Sequence, residues 1–280
     1  MEFPLSREVV SRFEYLAEAG STNDVLVAHA SGTDAAAWPD LSVVVTDNQT
    51  RGRGRLGRTW LAPTGKSLAI SVLLRPRSGD APLSASHYGW FPLLAGAAMT
   101  RAVREVVEAS LADRPVEPGE ESPEHFVTLK WPNDVLIDGY KVSGILSELL
   151  PDAHGLVIGA GLNVSLDEHD LPTLTSTSLQ LVTGTVPDPD AVLARYLTEL
   201  RDLTRDFLAA DADPVRSGLL QAVTELCGTL GSPVRVELPG GDDLVGTAVA
   251  LDADGRLIVE DQANGELQAV AAGDVTHLRY

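Results

Sequence analysis

Apolar positions along this chain change their period several times, and each change marks an element. The stretch LSVVVTDNQ, residues 41–49, is short and β-branched, which predicts a buried strand. KSLAISVLLRP (66–76) and GLVIGAGLNV (155–164) read the same way. VTLKWPNDVLIDGYKVSGILSELL (127–150) reads as strand, turn, strand: Pro132 and Asn133 break the first run, and Asp138-Gly139 supplies a hairpin turn. Helical spacing replaces alternation elsewhere. Ser21, Thr22, Asn23 and Asp24 form an N-cap cluster, followed by Val25, Leu26 and His29 at helical intervals. SHYGWFPLLAGAAMTRAVREVVEAS (86–110) is a long apolar-striped helix, and helices fill 188–227. After Cys227-Gly228 the pattern becomes short alternating strands with Gly and Asp turns, which predicts a small β barrel of about 50 residues. LADRPVEPGEESPEHF (111–126) has no period; acidic and Pro-rich, it reads as an exposed loop.

Composition narrows the picture. The 280 residues suffice for a full core, with one large domain and one small one, the boundary falling near 226–230. No apolar run is long enough to span a bilayer, and the first 20 residues lack the basic start and apolar core of a signal peptide. Cys227, the single cysteine, has no disulfide partner within the chain; together these features predict a cytoplasmic protein without a membrane partner. The net charge of -19 argues against nonspecific nucleic-acid binding, which needs a broad basic face.

Against that charge, the segment TRGRGRLGRTW (50–60) gathers Arg51, Arg53, Arg55 and Arg58 within eight residues. It has three readings: an Arg-Gly nucleic-acid segment, a plain basic loop, or an ordered loop over an anionic ligand. Its place between two strands favours the last. Gly52, Gly54 and Gly57 allow positive φ and close backbone approach, and Arg53 and Arg55 offer bidentate donors to phosphate or carboxylate. Trp60 supplies an aromatic wall. Lysine is sparse, at 66, 130 and 141 only. Lys130 and Lys141 flank a turn that contains Asn133 and Asp134, so two ammoniums and a carboxylate could surround a phosphoryl group, with Asp134 helping to hold Mg²⁺; the bland reading of Asp134 is a turn cap. Other signals are weak. PTGKS (63–67) ends like a phosphate-binding P-loop, but the glycine required five residues before Gly65 is Trp60, so it reads as a turn feeding a strand. The six histidines show no paired metal-ligand spacing, and Cys227 has no legible His partner that would make it a nucleophile.

These motifs resemble the bacterial biotin protein ligases (biotin–acetyl-CoA-carboxylase ligases). The resemblance is carried by STN at 21–23, Gln49 ahead of GRGRLGRTW at 52–60, KWPND at 130–134, KVSGIL at 141–146 and GAGLNV at 159–164, in the family's order. It implies an α+β fold: a catalytic domain over 1–226 with a central mixed sheet packed with helices, and an SH3-like C-terminal domain over 227–280. It implies two steps, in which biotin and MgATP give biotinyl-5'-AMP and pyrophosphate, and the acyl group then passes to a lysine of a biotin carboxyl carrier protein. Biotin and ATP with Mg²⁺ are then substrates, and no cofactor is permanently bound.

By the same resemblance Ser21, Thr22, Asn23 and Gln49 would hydrogen-bond the biotin ureido and its neighbours. Arg53, Gly54 and Arg55 would lie along the biotin tail and phosphate, with Arg55 and Lys141 carrying the chemistry. Lys141 would bind the carboxylate and stabilise charge at the α-phosphorus. Gly144, Gly159 and Gly161 would let the backbone approach the bicyclic ring. Arg58, Trp60, Lys130, Asn133 and Asn163 would border the adenylate. The Gly-Arg loop would close over that water-labile anhydride, its arginines neutralised only when the anion is present. Leu56 stands where many family members carry a further Arg, and the acidic insert at 112–125 is longer than the family leads one to expect. Twenty residues precede Ser21, too few for a winged-helix repressor domain, which predicts no DNA binding; a monomer or weak homodimer is expected. A lipoate-type ligase and a non-enzymatic nucleic-acid-binding protein are the alternatives.

Overall fold

The computed structural model describes residues 1–60, 62–112, 124–238, 241–271 and 273–278. Chain order is α1 (Pro4–Val9), β1 (Arg12–Leu16), α2 (Thr22–Ser31), β2 (Ser42–Thr46), β3 (Ser67–Leu74), the short hairpin β4 (Arg77–Ser78) and β5 (Ala81–Pro82), and α3 (Trp90–Ala112). β6 (Val127–Lys130), β7 (Asp134–Ile137), β8 (Tyr140–Leu149) and β9 (Leu156–Asn163) follow, then α4 (Leu179–Thr183), α5 (Pro189–Ala209) and α6 (Leu219–Leu226). The chain ends with β10 (Pro233–Glu237), β11 (Asp243–Leu251), β12 (Leu257–Asp261), β13 (Leu267–Val270) and β14 (Asp274–His277).

Among the described residues the first nine long-range strands, the β4–β5 hairpin apart, form a seven-stranded mixed sheet in the order β1-β2-β3-β9-β8-β7-β6. β1 runs parallel to β2 and the remaining pairs are antiparallel. Every residue of β2 and β3 is buried, so both faces of the sheet are covered and the apolar runs are continuous, not alternating. The two faces meet different partners. Val43, Val45, Leu68, Ile70, Val72, Ile158 and Leu162 join the main core with α3, α5 and α6, whereas Val44, Leu73 and Val157 meet Leu26 and Ala30 of α2 together with Trp38.

The register across the middle of the sheet sets the site. On the α2 face, Leu73 lies opposite Val157, Ser71 opposite Gly159, and Ala69 opposite Gly161. The face therefore changes from branched apolar to small or polar within four residues. β8 continues it with Glu148 opposite Val157, Leu146 opposite Gly159 and Gly144 opposite Gly161.

The C-terminal strands form a separate five-stranded antiparallel sheet, β13-β12-β11-β10-β14, with Val234, Val236, Leu244, Ala248, Leu257, Val259, Val270 and Val275 turned inward at the expected alternation. It docks on the large sheet through Trp131, whose N–H donates to Thr229 Oγ1 at 3.0 Å and whose Nε1 donates to Gly255 O at 3.0 Å.

Two elements differ from the sequence reading. Residues 127–149 form three strands, because β7 between the Lys130–Asn133 turn and the Asp138-Gly139 turn is only four residues long. Residues 12–16 form an edge strand whose sequence RFEYL alternates for only four residues, too short a run to mark a strand on its own; parallel pairing with β2 makes it one. In the acidic 112–125 insert, residues 113–123 lie outside the described residues.

The start of the chain is tied down by one carboxylate. Asp190, in the first turn of α5 and 4% exposed, accepts from Leu5 N (2.8 Å), Ser6 N (2.9 Å) and Ser6 Oγ (2.6 Å), and so caps α1 as well. Removing it leaves buried first-turn donors without an acceptor. Asp190→Ala is expected to cost about 2–3 kcal/mol of unfolding free energy, measured by urea denaturation; a loss below ~0.5 kcal/mol would show that α1 contributes little to the fold.

Candidate active site

A cavity of about 680 Å³ opens on the α2 face where the sheet carries small residues. Its two ends differ in chemistry.

One end is lined by polar side chains that carry no charge themselves. Ser21 is the N-cap of α2, its Oγ accepting from Asp24 N at 3.4 Å, so the helix starts at the cavity wall. Thr22 donates to Gln49 Oε1 from both its N (2.9 Å) and its Oγ1 (3.2 Å). Ser71 Oγ reaches Asn23 Oδ1 at 2.6 Å and Thr22 Oγ1 at 2.8 Å. Asn23 Nδ2 donates to Glu148 Oε2 at 2.6 Å and to Leu146 O at 3.2 Å. Ser21, Thr22, Asn23 and Ser71 are all buried, so this is a fixed set of donors and acceptors in an apolar sheet, the environment in which an unmatched polar ligand is rejected most strongly.

The floor is made of glycine because side chains come down onto it. A Cβ on Gly159 would lie 2.4 Å from Asn23 Oδ1, and one on Gly161 would lie 2.3 Å from Trp60 Cε2. The sequence reading gave these glycines to close approach by a ring; in the chain alone, Asn23 and the Trp60 indole make that approach.

The other end is charged. Lys141 reaches it through a bulge: Val135 and Leu136 are neighbours on β7 but pair with Ser143 and Lys141, which leaves Val142 as an extra residue on β8. That slip turns Lys141 onto the face of Gly144, and its Nζ lies 2.7 Å from Asp134 Oδ1 and 5.5 Å from the Trp60 ring centroid. The Lys141 backbone also fastens the neighbouring loop, donating to Thr175 O and accepting from Thr177 N, each at 2.8 Å. Lys130 is half-buried; burial pushes its ammonium below the ordinary lysine pKa, against the pull of Asp134 and Asp274. Burial likewise lowers Arg55, whose Nη1 donates to Asn133 Oδ1 at 3.0 Å and whose Nη2 donates to Gly273 O at 3.4 Å. Asn133 in turn donates from Nδ2 to Ile145 O at 2.7 Å, which fixes the KWPND turn against β8. Two desolvated cations at one end of a cavity can pair with an anion that enters it.

The Gly-Arg segment borders the cavity with Arg53, Gly54, Arg55, Arg58 and Trp60. Of the three glycines credited with positive φ, only Gly57 uses it (φ 73), while Leu56 itself adopts φ 56. Gly52 is needed for close approach instead, since a Cβ there would sit 2.1 Å from Trp60 O. The arginines are not bare without an anion, as the sequence reading had it. Arg53 pairs with Asp24 (2.7 Å) and Glu148 (2.9 Å), and Arg58 pairs with Asp274 of the C-terminal sheet. Burial raises the Asp274 carboxyl, but Arg58, Lys130 and Arg55 outweigh it and leave its pKa below the usual carboxylate range.

Sixteen of the seventeen residues singled out from the sequence line this cavity; Asn163 does not. Its side chain is buried and donates to Thr177 O at 2.9 Å, which anchors the loop after β9. Residues that sequence reasoning missed include Ser71, Glu148, Asp274, Thr276, His277 and the 172–176 loop. Only Ser71 left a trace, as a hydroxyl inside the apolar run SLAISVLL. Lys66, the lysine of PTGKS, ion-pairs with Asp167 and Asp170, and burial pushes the Cys227 thiol up. Among the described residues no group of three His, Cys, Asp or Glu side chains could hold a metal ion.

The chain matches the Biotin/lipoate A/B protein ligase family over residues 19–163 and the Biotin protein ligase C terminal domain over residues 229–278. A biotin--[acetyl-CoA-carboxylase] ligase of Mycobacterium tuberculosis is 38% identical over 269 residues, 96% of this chain and 90% of that protein. The bifunctional ligase/repressor BirA of Bacillus subtilis is 28% identical over 243 residues, which make up 85% of this chain but 66% of that longer relative. Among solved structures, the biotin protein ligase of Aquifex aeolicus in complex with biotin and ATP superposes with a TM-score of 0.72 at 26% identity, over 96% of this chain and 100% of that one. The Leishmania major biotin protein ligase in complex with biotinyl-5-AMP gives a TM-score of 0.61 at 26% identity, over 94% and 99%.

The Gly161 contact is directly testable. Gly161→Ala places a methyl inside the Trp60 ring, so the indole must leave its seat, at a cost of about 1–3 kcal/mol of stability. The expected result is a red-shifted tryptophan emission that is absent from Trp60→Phe carrying the same change; an unshifted spectrum would place the indole elsewhere.

Proposed function

The chain belongs to the Biotin/lipoate A/B protein ligase family, and from that premise we propose how its residues carry out the chemistry. It is an ATP-dependent biotin–protein ligase. Biotin and ATP react to give biotinyl-5'-AMP and pyrophosphate, and the biotinyl group then passes to a lysine of a biotin carboxyl carrier protein. The observation that carries the reading is the two-ended cavity: buried, neutral hydrogen-bonding groups over a glycine floor at one end, desolvated cations at the other.

The uncharged end takes the biotin ring system. Ser21, Thr22, Asn23 and Gln49 meet the ureido, where each buried polar group left unmatched would cost about 1–3 kcal/mol. Gly144, Gly159 and Gly161 leave depth for the ring, and the Trp60 indole shifts to cover it. The carboxylate tail then points along Arg53 and Gly54 toward Lys141. There the Lys141 ammonium, held by Asp134, neutralises the carboxylate as it approaches the α-phosphorus and takes up charge on the phosphoryl oxygens. Lys130, Arg55, Arg58 and Asn133 receive the rest of the adenylate and the triphosphate. No covalent enzyme intermediate is needed, since ATP supplies the leaving group and the carrier lysine is the nucleophile.

Magnesium belongs to the proposal. Such an ion is usually held by one or two carboxylates together with substrate phosphates, and Asp134 and Asp274 both face the charged end of the cavity. When bound, it supplies charge neutralisation on the phosphates. The division at 226/227, action as a monomer or weak homodimer, a cytoplasmic location and the lack of a DNA partner are parts of the same proposal. Among the described residues, no helix is long and apolar enough to cross a membrane.

Biotin-dependent exchange of labelled pyrophosphate into ATP tests the reading. Exchange with biotin and none with lipoate or octanoate is expected; exchange with lipoate would favour the lipoate-type alternative. A folded protein that exchanges with none of them, and that biotin and ATP fail to stabilise against heat, would leave a non-enzymatic binding protein. Within the same assay Lys141→Ala is expected to lower the exchange rate by roughly 10²–10³-fold without loss of fold. Exchange surviving near the wild-type rate in that variant would remove Lys141 from the chemistry.

A further inference from the structure

We propose that Glu148 is a positioning residue for this reaction, a single carboxylate that sets both the ring-recognition amide of Asn23 and the loop guanidinium of Arg53. The inference rests on the biotin-ligase reading for its kinetic half only.

Glu148 lies on β8 opposite Val157, on the α2 face of the sheet, just beyond the cavity. Its Oε2 accepts from Asn23 Nδ2 at 2.6 Å, and its two oxygens accept from Arg53 Nη2 at 2.9 and 3.0 Å. An ionised carboxylate only accepts, so it dictates which way the Asn23 amide points: Nδ2 faces Glu148 and Leu146 O, and Oδ1 faces Ser71. That orientation decides whether Asn23 offers a bound ring a donor or an acceptor. Burial works against the charge on Arg53, but Glu148 and Asp24 outweigh it and hold its pKa above the ordinary guanidinium value. Asp24 and Asn23 are neighbours in the first turn of α2, so the loop is tied at one point to the helix that reads the ring and to the strand beneath it.

The two bonds differ in strength, and this makes them separable. The Arg53–Glu148 pair is substantially exposed, at 44% and 33%, and is worth about a threefold effect. The Asn23 bond is short, charge-assisted and made by a residue only 5% exposed, which is worth roughly tenfold. Glutamine at 148 retains an oxygen for Asn23 but has no charge for Arg53, whereas alanine has neither.

Two measurements on the full chain test this. The first uses no substrate: limited trypsin digestion of the unliganded protein, with cleavage after Arg53, Arg55 and Arg58 followed by mass spectrometry. Glu148→Gln is expected to be cut in this loop about threefold faster than wild type. The second is the KM for biotin in pyrophosphate exchange. Glu148→Ala should raise KM roughly tenfold with kcat little changed, and Glu148→Gln, which keeps an oxygen for Asn23 but loses the charge that strengthens the bond, should raise it by a smaller factor. Unchanged loop cleavage in Glu148→Gln, or Gln and Ala variants that shift KM equally, would overturn the proposal. So would a matching fall in Tm and kcat in both variants, which is what a merely structural glutamate gives. If wild type shows no biotin-dependent exchange, the ligase reading fails on its own account, and the trypsin result alone upholds or overturns the tie to Arg53.

Discussion

Everything around the cavity depends on one register between the two central strands. With Leu73 opposite Val157, Ser71 opposite Gly159 and Ala69 opposite Gly161, the same sheet face packs α2 at one end and leaves depth at the other. A slip of β3 by one residue would send Ala69 and Ser71 to the α3 side and put Ile70 and Val72 under α2, facing Gly159 and Gly161 that had not moved. The register is held because both faces are buried, so any slip costs core packing on each side at once. The cavity is therefore a by-product of the arrangement that gives the fold its stability. It needs no special loop to hold it open.

Charge follows a second rule. The chain carries a net charge of -19, yet Arg53, Arg55, Arg58, Lys130 and Lys141 all border one cavity, and most of these five already have an acid beside them. Lys141 has Asp134, Arg58 has Asp274, and Arg53 has Asp24 with Glu148. On the proposed reading, an entering phosphate exchanges these partners. It does not meet naked charge, so the gain on binding is a difference between two ion pairs, smaller than either. This favours ligands that satisfy several cations in one geometry and disfavours a polyanion that meets them one at a time.

How far the sequence disclosed this depends on whether the signal was local. Ser21–Asn23 could be read because an N-cap cluster before a helical stripe is a short-range pattern, and its place at the cavity follows from where α2 begins. The Gly-Arg and KWPND segments were legible as unusual composition in an acidic chain. Asn163 looked no different from its neighbours in GAGLNV, but its position at the end of β9 carries the side chain past the cavity to Thr177. The bulge at Val142 was invisible, since it is a property of how β8 pairs with β7 and of neither strand alone. Asp274 and Glu148 were missed for the same reason: each lies more than ninety residues from the arginine it meets, and no local pattern marks an acid that will face a distant loop.

The C-terminal sheet enters the site by the same logic. Trp131 lies between Lys130 and the Asn133–Asp134 turn, and its backbone and indole both bond into the C-terminal part of the chain, at Thr229 and Gly255. Thr229 Oγ1 also lies 3.0 Å from His277 Nε2, and His277 borders the cavity together with Asp274. The segment that carries the phosphate-end cations is thus the one on which the second sheet is seated, and that sheet returns Asp274 and the Gly273 carbonyl to Arg58 and Arg55. Loss of the seat would remove two acceptors from the loop and release the turn that aims Lys130 and Asp134. The small sheet is in this sense a wall of the cavity and more than an appendage, and on the proposed reading a change at the Trp131 contact is felt first at the charged end, before the polar end across the sheet.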